Sequence, residues 1–418
     1  MFNSPPKYTE TLSIENFLNI KEFHWNIKPF NIITGDMGSG KSLCIKLLYF
    51  FEEILISSIL YAQGFSKKLF ENGHYSERLS KDFKEYFYLS DNNKDLKINY
   101  SFKSNGSNFT ILVTWDTIEK KLVWHCDYLN KNQNKWMGYF TSPETPDITR
   151  KARNQIFDDI THDFEDKLPI NGIFIPASRA ALAVVGSNTS FKDRFLNDFV
   201  QYKDFLLSDP DINLPREFVD ILKVKKIGKN PNDEGDVVLE HSDGRAVPSL
   251  YSSSGQQELV YLLMLLEILP QTDFNFSKMF SYFIEEPSAH LFPKEQKGIM
   301  ECIARIFQND KKKNTRFFIT THSPYVLNVI NNMLKKGSII KRNIDRAKEI
   351  EEAFNFPHLF VEDVSASFIN NDGTKTDMLD PEEEMIFADS IASISYQINE
   401  DTIELDKLNN KLISEQGN

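Results

Sequence analysis

Between residues 30 and 61 the chain passes from a short apolar run, through a glycine loop, into a long apolar-periodic stretch. Phe30-Asn-Ile-Ile-Thr34 reads as a buried strand, and Leu43 to Tyr61 repeats its apolar residues at helical spacing. Between them lie Gly35, Asp36, Met37, Gly38, Ser39, Gly40, Lys41 and Ser42, in the pattern G-x-x-x-x-G-K-S. The glycines let the backbone turn tightly and present N–H groups to phosphate oxygens. The helix start adds partial positive charge at the same point. Lys41 is placed to reach β- and γ-phosphates, and the Ser42 hydroxyl to hold Mg²⁺. Strand, loop and helix in that order therefore imply a bound nucleotide and Mg²⁺. They also imply an α/β core with a mostly parallel sheet, because strands and helices keep alternating downstream.

The rest of the chain fits that core. Leu12 to Phe17 alternates as a strand does. Residues 64–95 are polar and charged, consistent with short helices and loop. Leu96–Phe102, Phe109–Trp115 and Leu122–Tyr128 alternate around turn clusters and predict an antiparallel meander, a β insertion over about 96–142. A helix is expected over 151–166, a strand over Gly172–Ile175, and a helical insertion over about 185–230. A hairpin is expected around Ser242-Asp-Gly244, then a helix from Gly255, a strand over Met279–Ile284, a helix over Lys294–Phe307 and a strand over Arg316–Ile319. Asn371-Asp-Gly373 predicts a late hairpin, and an acidic helix starts near Pro381. Residues 1–335 are expected to form the main domain, and 336–418 a hairpin and acidic tail used for interaction or capping.

Composition narrows the function classes. The longest apolar run, Leu259 to Leu269, is interrupted by Glu267 and is too short to span a bilayer. The N-terminus is polar with two prolines and has no signal-peptide pattern. The three cysteines are far apart, without C-x-x-C, which suits a reducing, cytoplasmic setting and excludes a common zinc pattern. Net charge is −12, which argues against coating nucleic acid over a wide surface. Local basic clusters remain at Lys223, Lys225, Lys226 and Lys229, and at 311–313.

Three later segments could complete a phosphate site. Ser281-Tyr-Phe-Ile284 runs into Glu285-Glu286-Pro287, a strand ending in two carboxylates. Such a pair can hold the metal (Glu285) and orient or deprotonate a water (Glu286), or it can be a surface acidic turn. Ser253, Ser254, Gly255 and Gln256 open a helix, as an anion site or as a plain N-cap. Phe317 to Thr321 leads into His322-Ser-Pro324, whose histidine can meet a γ-phosphate or serve the turn alone.

In this order the four segments resemble ABC-type ATPases of the SMC-like and OLD-like group. The stretch Ile284-Glu-Glu-Pro-Ser-Ala-His-Leu-Phe-Pro293 is similar to that group's Walker B region, Ser253–Gln256 to its signature, and Thr321-His-Ser-Pro324 to its histidine switch. The resemblance covers roughly 10–63 and 170–335. It implies a head of ABC/SMC type that forms at least a homodimer. Lys41, Ser42, Glu285, Glu286 and His322 would then act on one ATP, while Ser253, Ser254 and Gly255 reach the nucleotide of the other subunit. Ile175-Pro-Ala-Ser-Arg179 resembles a strand-end I-P-x-x-R segment, where Arg179 is an active-site or interface arginine or a structural ion pair.

Departures from the group are Met37 where Asn is usual, Ser254 for the first signature glycine, and Ser288 for an acid. None removes a catalytic group, so ATP hydrolysis is expected. The Asp-x-Asp pair of a Toprim nuclease is missing after residue 335. The chain then resembles ATPase subunits of the PARIS and Septu anti-phage types, which control a separate effector, often a nuclease, in response to a phage-derived protein or DNA. A RecF-like DNA repair ATPase and a non-hydrolysing nucleotide clamp are the alternatives.

Overall fold

The computed structural model describes residues 8–52, 74–89, 95–104, 106–141, 145–164, 170–180, 191–208, 215–230, 233–268, 279–310 and 314–387. Its strands are β1 (Tyr8–Phe17), β2 (Ile20–Asn26), β3 (Phe30–Gly35), β4 (Lys97–Ser104), β5 (Ser107–Asp116), β6 (Lys121–Cys126), β7 (Ile170–Ile175), β8 (Lys226–Asn230), β9 (Asp233–Glu240), β10 (Ala246–Pro248), β11 (Met279–Glu285), β12 (Thr315–Thr320), β13 (Val364–Ile369), β14 (Lys375–Asp377), β15 (Leu379–Asp380) and β16 (Met385–Ile386). The α-helices are α1 (Lys41–Tyr49), α2 (His74–Phe87), α3 (Asp127–Met137), α4 (Pro146–Asp163), α5 (Arg194–Ser208), α6 (Arg216–Leu222), α7 (Ser254–Ile268), α8 (Pro293–Asn309), α9 (Pro324–Arg342) and α10 (Ala347–Ala353).

The core sheet has the order β14-β13-β3-β12-β11-β7. From β13 to β7 every pairing is parallel, and β14 alone runs antiparallel at the edge. A parallel sheet is covered on both faces, so its strands can be apolar throughout. β11 and β3 are buried at every position. Successive side chains point to opposite faces, and the aromatic residues use this. Tyr282 stacks on Phe317 at 5.2 Å on one face, and Phe283 on Phe318 at 4.6 Å on the other. The first pair belongs to a core shared with apolar residues of α7, α8 and α9, the second to a core shared with α1 and the antiparallel sheet.

That antiparallel sheet has the order β2-β1-β4-β5-β6. The predicted meander is present as β4 to β6, but it continues the opening β1–β2 hairpin instead of forming a sheet of its own. Its third strand ends at Cys126, two residues before the expected end at Tyr128, because α3 starts at Asp127. A buried cluster joins the two sheets: Arg316 of β12 donates to Glu10 of β1, to Glu52 and to Ser281 of β11. A buried guanidinium needs such partners, since an unpaired buried charge costs several kcal/mol.

Other differences follow from long-range pairing. The helical stretch expected to about 230 ends in β8, which joins β9 and β10 in a third sheet. The hairpin at 371–373 forms as expected. It lies inside the head, however: β13 pairs with the phosphate-loop strand β3 in the register Val364↔Phe30 to Ile369↔Gly35. Among the described residues beyond 336, β13 and β14 therefore complete the core sheet, within the range expected to serve for interaction or capping. Residues 381–384 form a turn leading to β16, not the start of a helix. The expected helix beyond 52, the lysines at 311–313 and the acidic tail from 388 lie outside the described residues. Among the described residues no helix is long and apolar enough to cross a membrane.

Candidate functional site

In an open parallel sheet, ligands bind beyond the carboxyl ends of the strands. β3, β12, β11 and β7 are adjacent, and their carboxyl ends lead into Gly35–Ser42, Thr321–His322, Glu285–Glu286 and Pro176–Arg179. Four of the predicted segments thus meet at one edge.

The loop takes the conformation its glycines permit. Gly35, Gly38 and Gly40 all have positive φ, at 150°, 78° and 109°. Gly40 caps α1 without any side-chain hydrogen bond, so the first-turn amides are left for an anion. Asn19, in the β1–β2 turn, donates to the Gly38 carbonyl and braces the loop. Met37 is 99% exposed at its tip. The nearly buried Lys41 amine donates to Gly35 O at 2.9 Å and Asp36 O at 2.8 Å. Burial lowers its pKa, against the opposing charges of Glu286 and Asp36.

Glu285 and Glu286 have distinct settings. Glu285 Oε2 accepts the Ala177 N–H at 3.0 Å. Its Oε1 is buried without a hydrogen bond and lies 3.6 Å from Lys46 Nζ. Glu286 has φ 45°, uncommon for a residue with a Cβ. Its N–H donates to Thr320 O at 3.0 Å. Its carboxylate lies 2.9 Å from His322 Nδ1 and accepts the His322 N–H at 3.3 Å. With Nδ1 turned to the carboxylate, Nε2 is the ring atom that can meet a second group, and the side chain is 72% exposed.

Magnesium bound with a nucleotide needs few protein ligands, since phosphates and water fill most of its shell. Among the described residues no group of three or more His, Cys, Asp or Glu forms a ready-made metal cage. Buried polar atoms without hydrogen bonds do gather at these strand ends: Thr34 Oγ1, Ser39 Oγ, Thr320 Oγ1 and Glu285 Oε1. Such atoms are costly unless another group satisfies them. The donor set therefore fits Mg²⁺ with a polyphosphate, Ser42 and Glu285 being the residues that would hold the metal.

Ser253, Ser254, Gly255 and Gln256 stand apart. They line a cleft of 430 Å³ together with residues such as Lys223, His241, His290 and Phe292, and no phosphate-loop residue lines it. Gln256 orders the turn by accepting from Ser253 N and Oγ, at 3.2 and 3.0 Å, and by donating to Leu222 O at 2.8 Å. Arg179 is fully buried and bonded to main-chain carbonyls and to Glu258, so it is not an exposed interface arginine.

Of the contributors beyond the predicted site residues, His290 lies within the Ile284–Pro293 stretch, while Asn19, Lys46 and Glu258 have no motif of their own. Of these three, Lys46 alone carried a local signal, since it lies four residues after Ser42 on the same helix face.

Residues 193–327 match the family described as AAA ATPase domain. That span includes Ser253–Gln256, Glu285, Glu286 and His322, and it begins after the phosphate loop. No curated protein matches the sequence. Among solved structures, the SMC head domain from Thermotoga maritima is similar at TM-score 0.36 and 14% identity, covering 77% of this chain and 91% of that one. An SMC head bound to the C-terminal winged-helix domain of ScpA is similar at TM-score 0.40 and 16% identity, over 77% of this chain and 92% of that one. An SMC head with an extended coiled coil, bound to the C-terminal domain of ScpA and derived from Pyrococcus furiosus, is similar at TM-score 0.39 and 12% identity, over 94% of this chain and 99% of that one.

Proposed function

We propose that this chain is an ABC-type ATPase that assembles through ATP. Each phosphate loop would face Ser253, Ser254 and Gly255 of another copy. The observation that carries the proposal is the meeting of Lys41, Glu285, Glu286 and His322 at one sheet edge, around buried polar atoms without hydrogen bonds. The separate cleft at Ser253–Gln256 supports the second half, because it offers a helix N-terminus to a nucleotide held elsewhere.

In this reading Gly35–Ser42 cradles the phosphates and Lys41 exchanges its loop carbonyls for phosphate oxygens. Bound Mg²⁺ would supply positive charge to the β- and γ-phosphate oxygens. Glu286 accepts a proton from the attacking water, a role worth about 10²–10⁴-fold in rate. His322 orients that carboxylate through Nδ1 and offers Nε2 to the γ-phosphate. Phosphate release by wild type should fall by roughly that factor in Glu286→Gln, with nucleotide binding retained. Equal rates would mean that ATP serves only as a clamp.

The assembly would act as a sensor or scaffold for a separate effector, a nuclease in anti-phage defence. The described residues 336–387 support this, since they complete the core sheet instead of forming a catalytic module. Loss of protection against phage in Lys41→Ala is the expected result, and full protection by that variant would sink the idea. Exposed Lys225, Lys226 and Lys229, at or beside edge strand β8, favour a second reading as a DNA-associated ATPase. Filter binding at two salt concentrations separates the two, because phosphate contacts weaken steeply with salt.

A further inference from the structure

Arg179 touches neither the phosphate loop nor the cleft, yet it is fully buried and heavily bonded. Nε donates to Glu258 O at 3.0 Å and pairs with Glu258 Oε2 at 3.0 Å. One terminal nitrogen donates to Pro176 O at 3.2 Å and Glu285 O at 2.8 Å, the other to Glu286 O at 2.9 Å. A guanidinium is a rigid planar fork, so these acceptors are held in one frame. Most are main-chain carbonyls, which cannot shift unless the backbone shifts with them.

The two sides of the frame differ in function. On one side are the carbonyls of both carboxylate residues. Glu286 holds its uncommon φ of 45° between this bond and its own N–H to Thr320 O. Such a conformation persists only where its surroundings over-determine it. On the other side is α7. Glu258 lies one turn after Ser254, so it moves with the helix end that carries the signature residues. Glu258 also meets His290 Nδ1 at 3.3 Å. His290 and Leu291 in turn cover Gly255, where a Cβ would lie 3.4 Å from His290 O and 3.1 Å from Leu291 Cδ2.

We propose that Arg179 is a positioning residue that couples contact at the Ser253–Gly255 helix end to the backbone of Glu286. A nucleotide seated on that helix end shifts Glu258, and Arg179 passes the shift to the Glu285 and Glu286 carbonyls. The base is then aligned for hydrolysis only when the second copy is engaged. This rests on the reading of the site as an ATPase assembled from two copies, and it adds the device that stops one copy from hydrolysing alone.

The test is a double-mutant cycle on single-turnover phosphate release, with binding of a non-hydrolysable ATP analogue measured by calorimetry. Arg179→Lys keeps the charge and loses the fork. Ser254→Arg obstructs the helix end. Analogue binding should stay within about twofold in Arg179→Lys, while release falls on the order of 100-fold, as small misplacements of a reacting group do. In the Arg179→Lys background, adding Ser254→Arg should slow release little further, because the coupled path is already cut. A merely structural Arg179 would instead give effects that multiply, and that result overturns the proposal. Glu258→Gln, nearly isosteric, repeats the cycle should Arg179→Lys fail to fold, with the same two outcomes. If release by wild type ignores Ser254→Arg, the two-copy reading falls and the coupling with it. If wild type responds but the effects multiply, the coupling alone falls.

Discussion

Gly35 and Gly38 lie three residues apart in one loop, and the structure assigns alanine very different costs at the two. A Cβ at Gly35 would sit 2.5 Å from Ile369 O and 2.7 Å from Ser39 Oγ. Ile369 cannot give way easily, because it pairs with Gly35 at the end of the β13–β3 ladder. Overpacking of this kind costs about 1–3 kcal/mol. A side chain at positive φ adds roughly 1–2 kcal/mol, so Gly35→Ala should lose about 2–5 kcal/mol in all. A Cβ at Gly38 meets nothing within 4 Å, which leaves only the conformational cost of its φ of 78°. Urea unfolding followed by tryptophan fluorescence is a suitable assay. Trp25 is buried and donates to Ser365 of β13 at 3.2 Å, so it reports on the docking of that strand. Gly35→Ala should unfold at clearly lower urea than Gly38→Ala. Equal midpoints, or a larger loss at Gly38, would refute the placement of β13 against the phosphate loop.

Lys46 holds a positive charge 3.6 Å from Glu285 Oε1, with its amine 4.9 Å from the centre of the Phe195 ring. At an effective dielectric of about 20 the gross attraction is about 4–5 kcal/mol, much of it offset by desolvation. Lys46→Met should therefore destabilise the metal-free protein and lower the Mg²⁺ concentration needed for half-saturation of nucleotide binding. An unchanged Mg²⁺ titration would count against Glu285 as the metal carboxylate. For Lys41 the folded state favours the neutral amine, because burial lowers its pKa. Its contribution to stability thus rises with pH, while ATP binding, which needs the charged form, weakens at alkaline pH below the usual lysine value of about 10.4. Calorimetry across the alkaline range checks this, and pH-independent binding would contradict it.

Much of the site was legible because its parts are local. The glycine loop, the strand ending in Glu285-Glu286 and the turn at His322 each occupy a few consecutive residues. Their chemistry constrains both composition and order. The hairpins at 242–244 and 371–373 were legible for the same reason, through turn glycines with positive φ. What stayed hidden depends on distant pairing. Nothing near Val364–Ile369 says that it will lie parallel to Phe30–Gly35, more than 300 residues earlier. β2 follows β1 through the turn Leu18-Asn19, in which Leu18, not a glycine, takes positive φ, so the usual hairpin signal is missing. β8 is short and carries two lysines, which blurs its alternation. Arg179 was visible as a residue, but its four hydrogen-bond acceptors are all main-chain carbonyl oxygens, which carry no side-chain signature.

The central claim is that the phosphate loop of one copy works with Ser253–Gly255 of another. Light scattering on Glu286→Gln, which is expected to bind ATP but hydrolyse it far more slowly, tests this most directly. The account predicts a mass that at least doubles when Mg²⁺ and ATP are added, and no increase when Ser254→Arg is introduced as well. A mass that stays the same with and without ATP would contradict it.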